Sequence, residues 1–140
     1  MIAAPATLLS AIVTIFAILF FFYTGVRVGQ MRGKHSIKAP ATIGHPEFER
    51  AYRVQMNTLE QFVVFLPLLW LATAYFRTIG WLPALAGLVW IVGRILYMTG
   101  YMAAPEKREA GFTIGAIALL ALLILAIIGI VQDWTAVSAA

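Results

Sequence analysis

The chain has 140 residues, 62% of them hydrophobic and only 11% charged, with a formal net charge of +4. That composition excludes a soluble domain and points to an integral membrane protein, and the length leaves room for a single domain only. Cysteine is absent, which removes disulfide frameworks, thiolate metal sites and a cysteine nucleophile, so any sulfur chemistry has to come from a ligand.

The first uncharged run, Met1 to Val26, has no basic residue ahead of it and exceeds the length of a signal-peptide core. It reads as a retained span over about residues 6–30, closed by Tyr23 and Arg27 at an interface. A polar loop with Arg32, Lys34, His35 and Lys38 follows, punctuated by Pro40, Gly44 and Pro46. A second span is expected over about 47–76, with Glu47 and Glu49 in the dipole-favoured first turn and a kink at Pro67. After a short connection from Arg77 to Gly80, a third span runs over about 81–103 and stops before Pro105. The fourth covers about 106–133 and reaches the far interface at Asp133 and Trp134. The fold class is therefore all-α: a four-helix transmembrane bundle of up-down topology. Basic residues crowd the first and third connections, which puts both on the cytoplasmic side and both termini opposite. Most of the positive charge is accounted for in this way, and not by a nucleic-acid partner.

Span two is unusual at its start. Only sixteen uncharged residues, Gln61 to Phe76, follow Glu60, and a spanning helix needs about 20, so the preceding polar turns reach into the membrane. At 100° per residue Arg50, Arg53, Asn57 and Glu60 form one stripe, and Gln55 points to the other side. Span three carries a second stripe, Arg94, Tyr97 and Tyr101, at the same end. A hairpin about residue 78 sets Glu60 level with Leu96 and Arg53 with Ala103, so the stripes face each other. Glu60 is expected to be buried and ionic, either paired with Arg94 or Tyr97 or bound to a ligand ammonium. The remaining cations and donors exceed any such pairing and imply an anionic ligand or a wet cavity, since a charge at membrane depth costs about 3 kcal/mol. Arginines clamp carboxylates, a glutamate takes an ammonium and Asn57 and Gln55 read amides, an inventory that suits glutathione. Other polar features read as structure. His35 and His45 have no Asp or Cys partner and suggest no metal site. Trp70, Trp90 and the glycines at 87, 93, 100 and 115 read as packing, and Trp81 and Trp134 as interface anchors.

The run Glu-Arg-x-x-Arg-x-Gln-x-Asn-x-x-Glu from Glu49 to Glu60, with Arg-x-x-Tyr-x-x-x-Tyr from Arg94 to Tyr101, resembles the MAPEG superfamily of membrane-associated proteins in eicosanoid and glutathione metabolism. The resemblance implies a homotrimer that binds glutathione between subunits, with no metal. It assigns glutathione binding to Arg53, Asn57, Glu60, Arg94, Tyr97 and Tyr101 of one subunit and to Arg32 and Gln55 of its neighbour. Arg108 matches the arginine that stabilises the thiolate. Gln61 stands where the leukotriene-synthase branch has tyrosine, and Gly33 where that branch has a second arginine. The segment Gly100 to Phe112 is more similar to bacterial-type members, which implies a bacterial inner membrane. The implied activity is conjugation of glutathione to hydrophobic electrophiles, or reduction of lipid hydroperoxides, with the second substrate arriving from the bilayer. Two other functions compete with it. A non-enzymatic, lipid-binding member of the lipoxygenase-activating type would not need Arg53, Asn57, Glu60 and Arg108, and a proton-coupled exporter would need an acidic residue in span one, which has none.

Overall fold

A computed structural model describes residues 4–139; Met1, where the first uncharged run begins, and the outermost residues of the single domain read over 1–140 lie outside the described residues. Its elements are α1 (Pro5–Lys34), α2 (Pro46–Tyr75), α3 (Leu82–Ala103), a 3-10 turn at Pro105–Arg108 and α4 (Glu109–Ser138). All four helices are long and apolar enough to cross a membrane. Each boundary has a local cause. Proline opens α1, α2, α3 and the 3-10 turn, where a missing N–H costs nothing. His45 caps α2 by accepting the Glu47 N–H on Nδ1 at 3.2 Å, and Glu49 accepts the Gly44 N–H at 2.9 Å. Ser36, at φ 54°, turns the chain out of α1. α1 continues to Lys34, beyond the expected end of its span near residue 30, and α2 runs on through Pro67 to Tyr75.

The apolar core lies between the helices at mid-length. Phe65 stacks on Trp90 with ring centroids 3.9 Å apart, Phe62 meets Trp90 edge-on at 5.5 Å, and Leu69, Ala72, Leu122 and Ala17 are fully buried around them. Trp90 is core as expected, whereas Trp70 is partly exposed on the outer surface, beside the apolar residues that face outward along every helix. A second cluster of Val28, Met31, Phe48 and Ala51 joins α1 to α2 at the polar end. At the opposite end Ser10 and Thr73 share a hydrogen bond of 2.7 Å, and Arg77 donates to Asp133 at 3.1 Å.

Helices α3 and α4 make the closest crossing. In a bilayer apolar surfaces gain little by meeting, so helix association depends on close van der Waals approach through small residues. Here Gly93 faces Gly115, and Gly111 fits against the backbone of Tyr97. A Cβ on Gly93 would stand 2.7 Å from the Gly115 nitrogen, and one on Gly111 would run into the Tyr97 backbone nitrogen. Backbone cannot step aside as a flexible side chain can. Gly111→Ala is therefore expected to destabilise the detergent-solubilised protein by about 1–3 kcal/mol, seen as a lower unfolding temperature. Gly29, where an added methyl group would meet nothing within 4 Å, is the control, and Gly29→Ala should leave the unfolding temperature unchanged or slightly raised.

Candidate active site

Four elements meet at the polar end of the bundle. Arg53 and Asn57 of α2, Tyr97 of α3, Arg108 of the 3-10 turn, and Glu109, Phe112 and Thr113 of α4 line a cleft of about 420 Å3. That volume lies within the range of small-molecule sites. The short turn after Pro105 brings α4 back over α3, with Gly100 packed against the Lys107 backbone. Arg108 thereby sits over the Tyr101 ring, its guanidinium carbon 5.1 Å from the centroid. The Tyr101 ring stacks on Tyr97 at 5.7 Å, and Arg94 lies over Tyr97 at 4.2 Å. Two cations thus flank a pair of aromatic rings, an arrangement that suits the negative faces of the rings. Among the described residues Arg108 makes no ion pair.

Phe65 stacks on Trp90 and Leu69 lies beside Gly87, pairs close to those of a hairpin about residue 78. The long Arg94 side chain nevertheless reaches along the seam: Asn57 accepts a hydrogen bond from Arg94 Nη1 at 3.0 Å, and Thr58 accepts one from Arg94 Nη2 at 2.9 Å. Arg94 is fully buried and stands behind the cleft rather than on its wall. Glu60 is neither buried nor paired with Arg94. Its side chain is 55% exposed, accepts from Asn57 Nδ2 at 3.1 Å and lies 3.9 Å from Arg53 Nη1. The reason is geometric: Asn57 and Thr58 reach Arg94 first, and Glu60 is left at the outer edge of α2.

The two residues expected to serve a neighbouring subunit lie away from the cleft. Gln55 packs against α1, where a Cβ on Gly25 would be 3.1 Å from its Nε2. Arg32 lies over the Phe48 ring at 4.6 Å, with Nη1 buried and unpartnered among the described residues. Gln61 is turned inward, and its carbonyl oxygen accepts the Trp90 indole N–H at 3.1 Å.

The family model for the MAPEG family matches residues 10–128. This chain belongs to the MAPEG family. Among its relatives, an uncharacterized protein of Synechocystis is 42% identical over 120 residues, covering 86% of each chain. Human microsomal glutathione S-transferase 2 is 40% identical over 122 residues, 86% of this chain and 82% of the relative. Leukotriene C4 synthase of the guinea pig, Cavia porcellus, is 39% identical over 126 residues, 90% of this chain and 83% of the relative. With its four apolar helices, this MAPEG chain is a multi-pass integral membrane protein.

Outside the cleft, the loop between α1 and α2 holds a cluster that the sequence pattern does not announce. His35 and His45 stack with centroids 3.6 Å apart, and Glu47 receives both Lys34 Nζ at 2.6 Å and His35 Nε2 at 2.9 Å. Glu47 is the acidic partner that the spacing of the two histidines alone did not supply. Candidate ligand atoms of His35, His45 and Glu47 lie within 4.8 Å of one another. The rings are nearly parallel, however, at 13°, so their in-plane lone pairs do not converge on one point. The cluster ties the end of α1 to the start of α2, and Arg32 and Phe48 pack beside it.

Sequence reasoning named Arg53, Asn57, Tyr97 and Arg108 on the cleft, and missed Glu109, Phe112 and Thr113 as well as Thr58 behind it. Glu109, Phe112 and Thr113 recur at i, i+3 and i+4, so the helical period in the first turn of α4 carried a signal. The Gln61 and Trp90 pair allows a direct test of how this MAPEG core tolerates a buried polar group. Gln61→Leu should cost about 0.5–1.5 kcal/mol by leaving the indole N–H unpartnered. The double variant Gln61→Leu/Trp90→Phe should lose less stability than the two single variants added together, read from unfolding in a double-mutant cycle.

Proposed function

We propose that the protein is a membrane-bound glutathione transferase, with reduction of lipid hydroperoxides as a second outcome of the same activated thiol. In this reading the chain is one four-helix transmembrane domain of up-down topology, assembled as a homotrimer in a bacterial inner membrane. The first and third connections face the cytoplasm, in keeping with their basic residues and with the bacterial relative. The observation that carries the function is the cleft in which Arg53 and Arg108 converge with Asn57 and Tyr97. Two guanidinium groups suit a small anion that carries carboxylate groups. The microsomal transferase relative, whose name specifies glutathione, supports that choice of substrate.

In this reading Arg53 binds a glutathione carboxylate, Glu60 takes the ammonium, and Tyr97 and Tyr101 hold the cysteinyl part of the ligand. The thiol has a pKa of roughly 8.5–9, so little thiolate is present at neutral pH without help. Arg108, without a carboxylate partner among the described residues and resting on Tyr101, supplies the positive charge that stabilises the anion, and the proton is lost to water. The sulfur then attacks an electrophilic carbon, a C–S bond forms, and the leaving group departs with the bonding electrons. With a hydroperoxide, two glutathione molecules are oxidised to the disulfide while the substrate is reduced to an alcohol and water. Phe112, half-exposed on the cleft wall, supports entry of the apolar substrate from the bilayer side. In this reading Arg32 of the neighbouring subunit adds a further cation toward the ligand's carboxylates.

Equilibrium binding of glutathione to the detergent-solubilised protein tests the reading at its root, and absence of binding would overturn it. Arg108→Ala should bind glutathione within a few-fold of wild type, lose the near-ultraviolet absorbance of the bound thiolate, and turn over on the order of a hundredfold more slowly at neutral pH. Its pH–rate profile should move to higher pH, because thiolate then forms only near the unaided thiol pKa. Normal thiolate formation in this variant would remove Arg108 from the activating role.

The shared site has its own test. Mixed trimers of Gln55→Ala and Arg53→Ala subunits contain some interfaces with both residues intact. Their activity should exceed that of either parent, and no recovery would count against a site built from two subunits.

A further inference from the structure

An arginine buried at membrane depth without a carboxylate in reach needs a reason, because apolar residues fill such positions at lower cost. Arg94 is fully buried and makes no ion pair among the described residues. What it does make is a directed chain of hydrogen bonds. The Thr58 hydroxyl donates its only proton to the Val54 carbonyl at 2.7 Å, which leaves its lone pairs for Arg94 Nη2 at 2.9 Å. Arg94 Nη1 donates to Asn57 at 3.0 Å. A guanidinium has donors only, so Asn57 has to turn its oxygen toward Arg94 and its amino group the other way. That amino group donates to Glu60 Oε2 at 3.1 Å, and the second Glu60 oxygen stands 3.9 Å from Arg53. The Tyr97 ring under the guanidinium at 4.2 Å limits its swing.

We infer that Thr58 and Arg94 are positioning residues: lying behind the cleft, they set the direction of the Asn57 amide and, through it, hold the Glu60 carboxylate where a ligand ammonium meets it. The chain runs from a dry end, where Thr58 and Arg94 are fully buried, to an open end, where Arg53 and Glu60 are exposed. A cation on the Asn57 oxygen also polarises the amide and strengthens its N–H as a donor to Glu60. Asn57 is thereby committed on both sides, as a bridge rather than a free reader of ligand amides. The ammonium as occupant rests on the glutathione reading above; the orientation of Asn57 does not.

Asn57 is the only asparagine in the chain, so protein labelled with 15N-asparagine shows one side-chain amide pair without further assignment. In ligand-free wild type this pair should give two well-separated proton signals with slow solvent exchange. Thr58→Val, close to isosteric but unable to accept from Arg94, should shift the pair toward free-amide positions and speed its exchange, while Thr58→Ser should keep the wild-type pattern. Thr58→Ala serves the same purpose if the valine is not accommodated. An amide pair unchanged in the valine or alanine variant would overturn the proposal.

Binding supplies the second arm. Thr58→Val should weaken glutathione binding about tenfold, yet leave unchanged the affinity for a glutathione analogue lacking the α-amino group, which has no ammonium to present to Glu60. Equal losses for both ligands would mean general loosening and would overturn the positioning role. If wild type binds no glutathione, the functional reading falls, and the amide signals alone decide the orientation of Asn57.

Discussion

The polar end of this bundle depends on one buried cation. Arg94 projects from α3 into the seam with α2, where Asn57, Thr58 and the face of Tyr97 replace the water it would otherwise have. Moving a charge into such surroundings is unfavourable unless its donors are met; both terminal nitrogens of Arg94 find acceptors on α2, while its Nε is buried without a partner among the described residues. The two bonds tie α3 to the polar turns of α2. Arg53 and Asn57 stand on the cleft wall, and Glu60, on the same helix, is exposed beside them.

The second constraint is steric. The α3 and α4 backbones approach through Gly93, Gly111 and Gly115, close enough that Cβ atoms on the first two would collide with backbone. This contact, with the 3-10 turn that precedes it, carries Arg108 onto Tyr101 and turns Glu109, Phe112 and Thr113 toward α2. A cleft arises because α2 and α4 both lean on α3 while their polar first turns remain apart. Small residues at the crossing and large polar residues at its mouth are two parts of one arrangement, since a wider crossing would draw Arg108 away from the tyrosine pair.

Membership of the MAPEG family fits this division of labour. The helices bury an aromatic core around Phe65 and Trp90, present apolar surface outward, and collect the polar groups that line the cleft at one end. Gln61 belongs to the inner part: its carbonyl is committed to the Trp90 indole. At the other end the pairs Ser10 with Thr73 and Arg77 with Asp133 close the bundle without forming a comparable set of donors.

The sequence by itself determined the four helices, because apolar run lengths and proline positions are local properties that bilayer thickness and backbone chemistry read directly. It also determined which faces are polar, because Arg53 and Asn57 on one helix and Arg94, Tyr97 and Tyr101 on the next obey the helical period whatever their partners. Partner choice was a matter for the tertiary structure alone. Glu60 looked like the natural counter-ion of Arg94, since opposite charges in two facing stripes invite pairing. The reach of the Arg94 side chain along the seam gave it to Asn57 and Thr58 and left Glu60 exposed. Thr58 was invisible for a related reason: a threonine within an apolar helix usually satisfies itself on its own backbone, and only the incoming guanidinium turns its spare lone pair into part of a site. The meeting of His35, His45 and Glu47 likewise required a folded loop, because residues ten apart in a polar connection have no fixed distance until the helices at either end are docked.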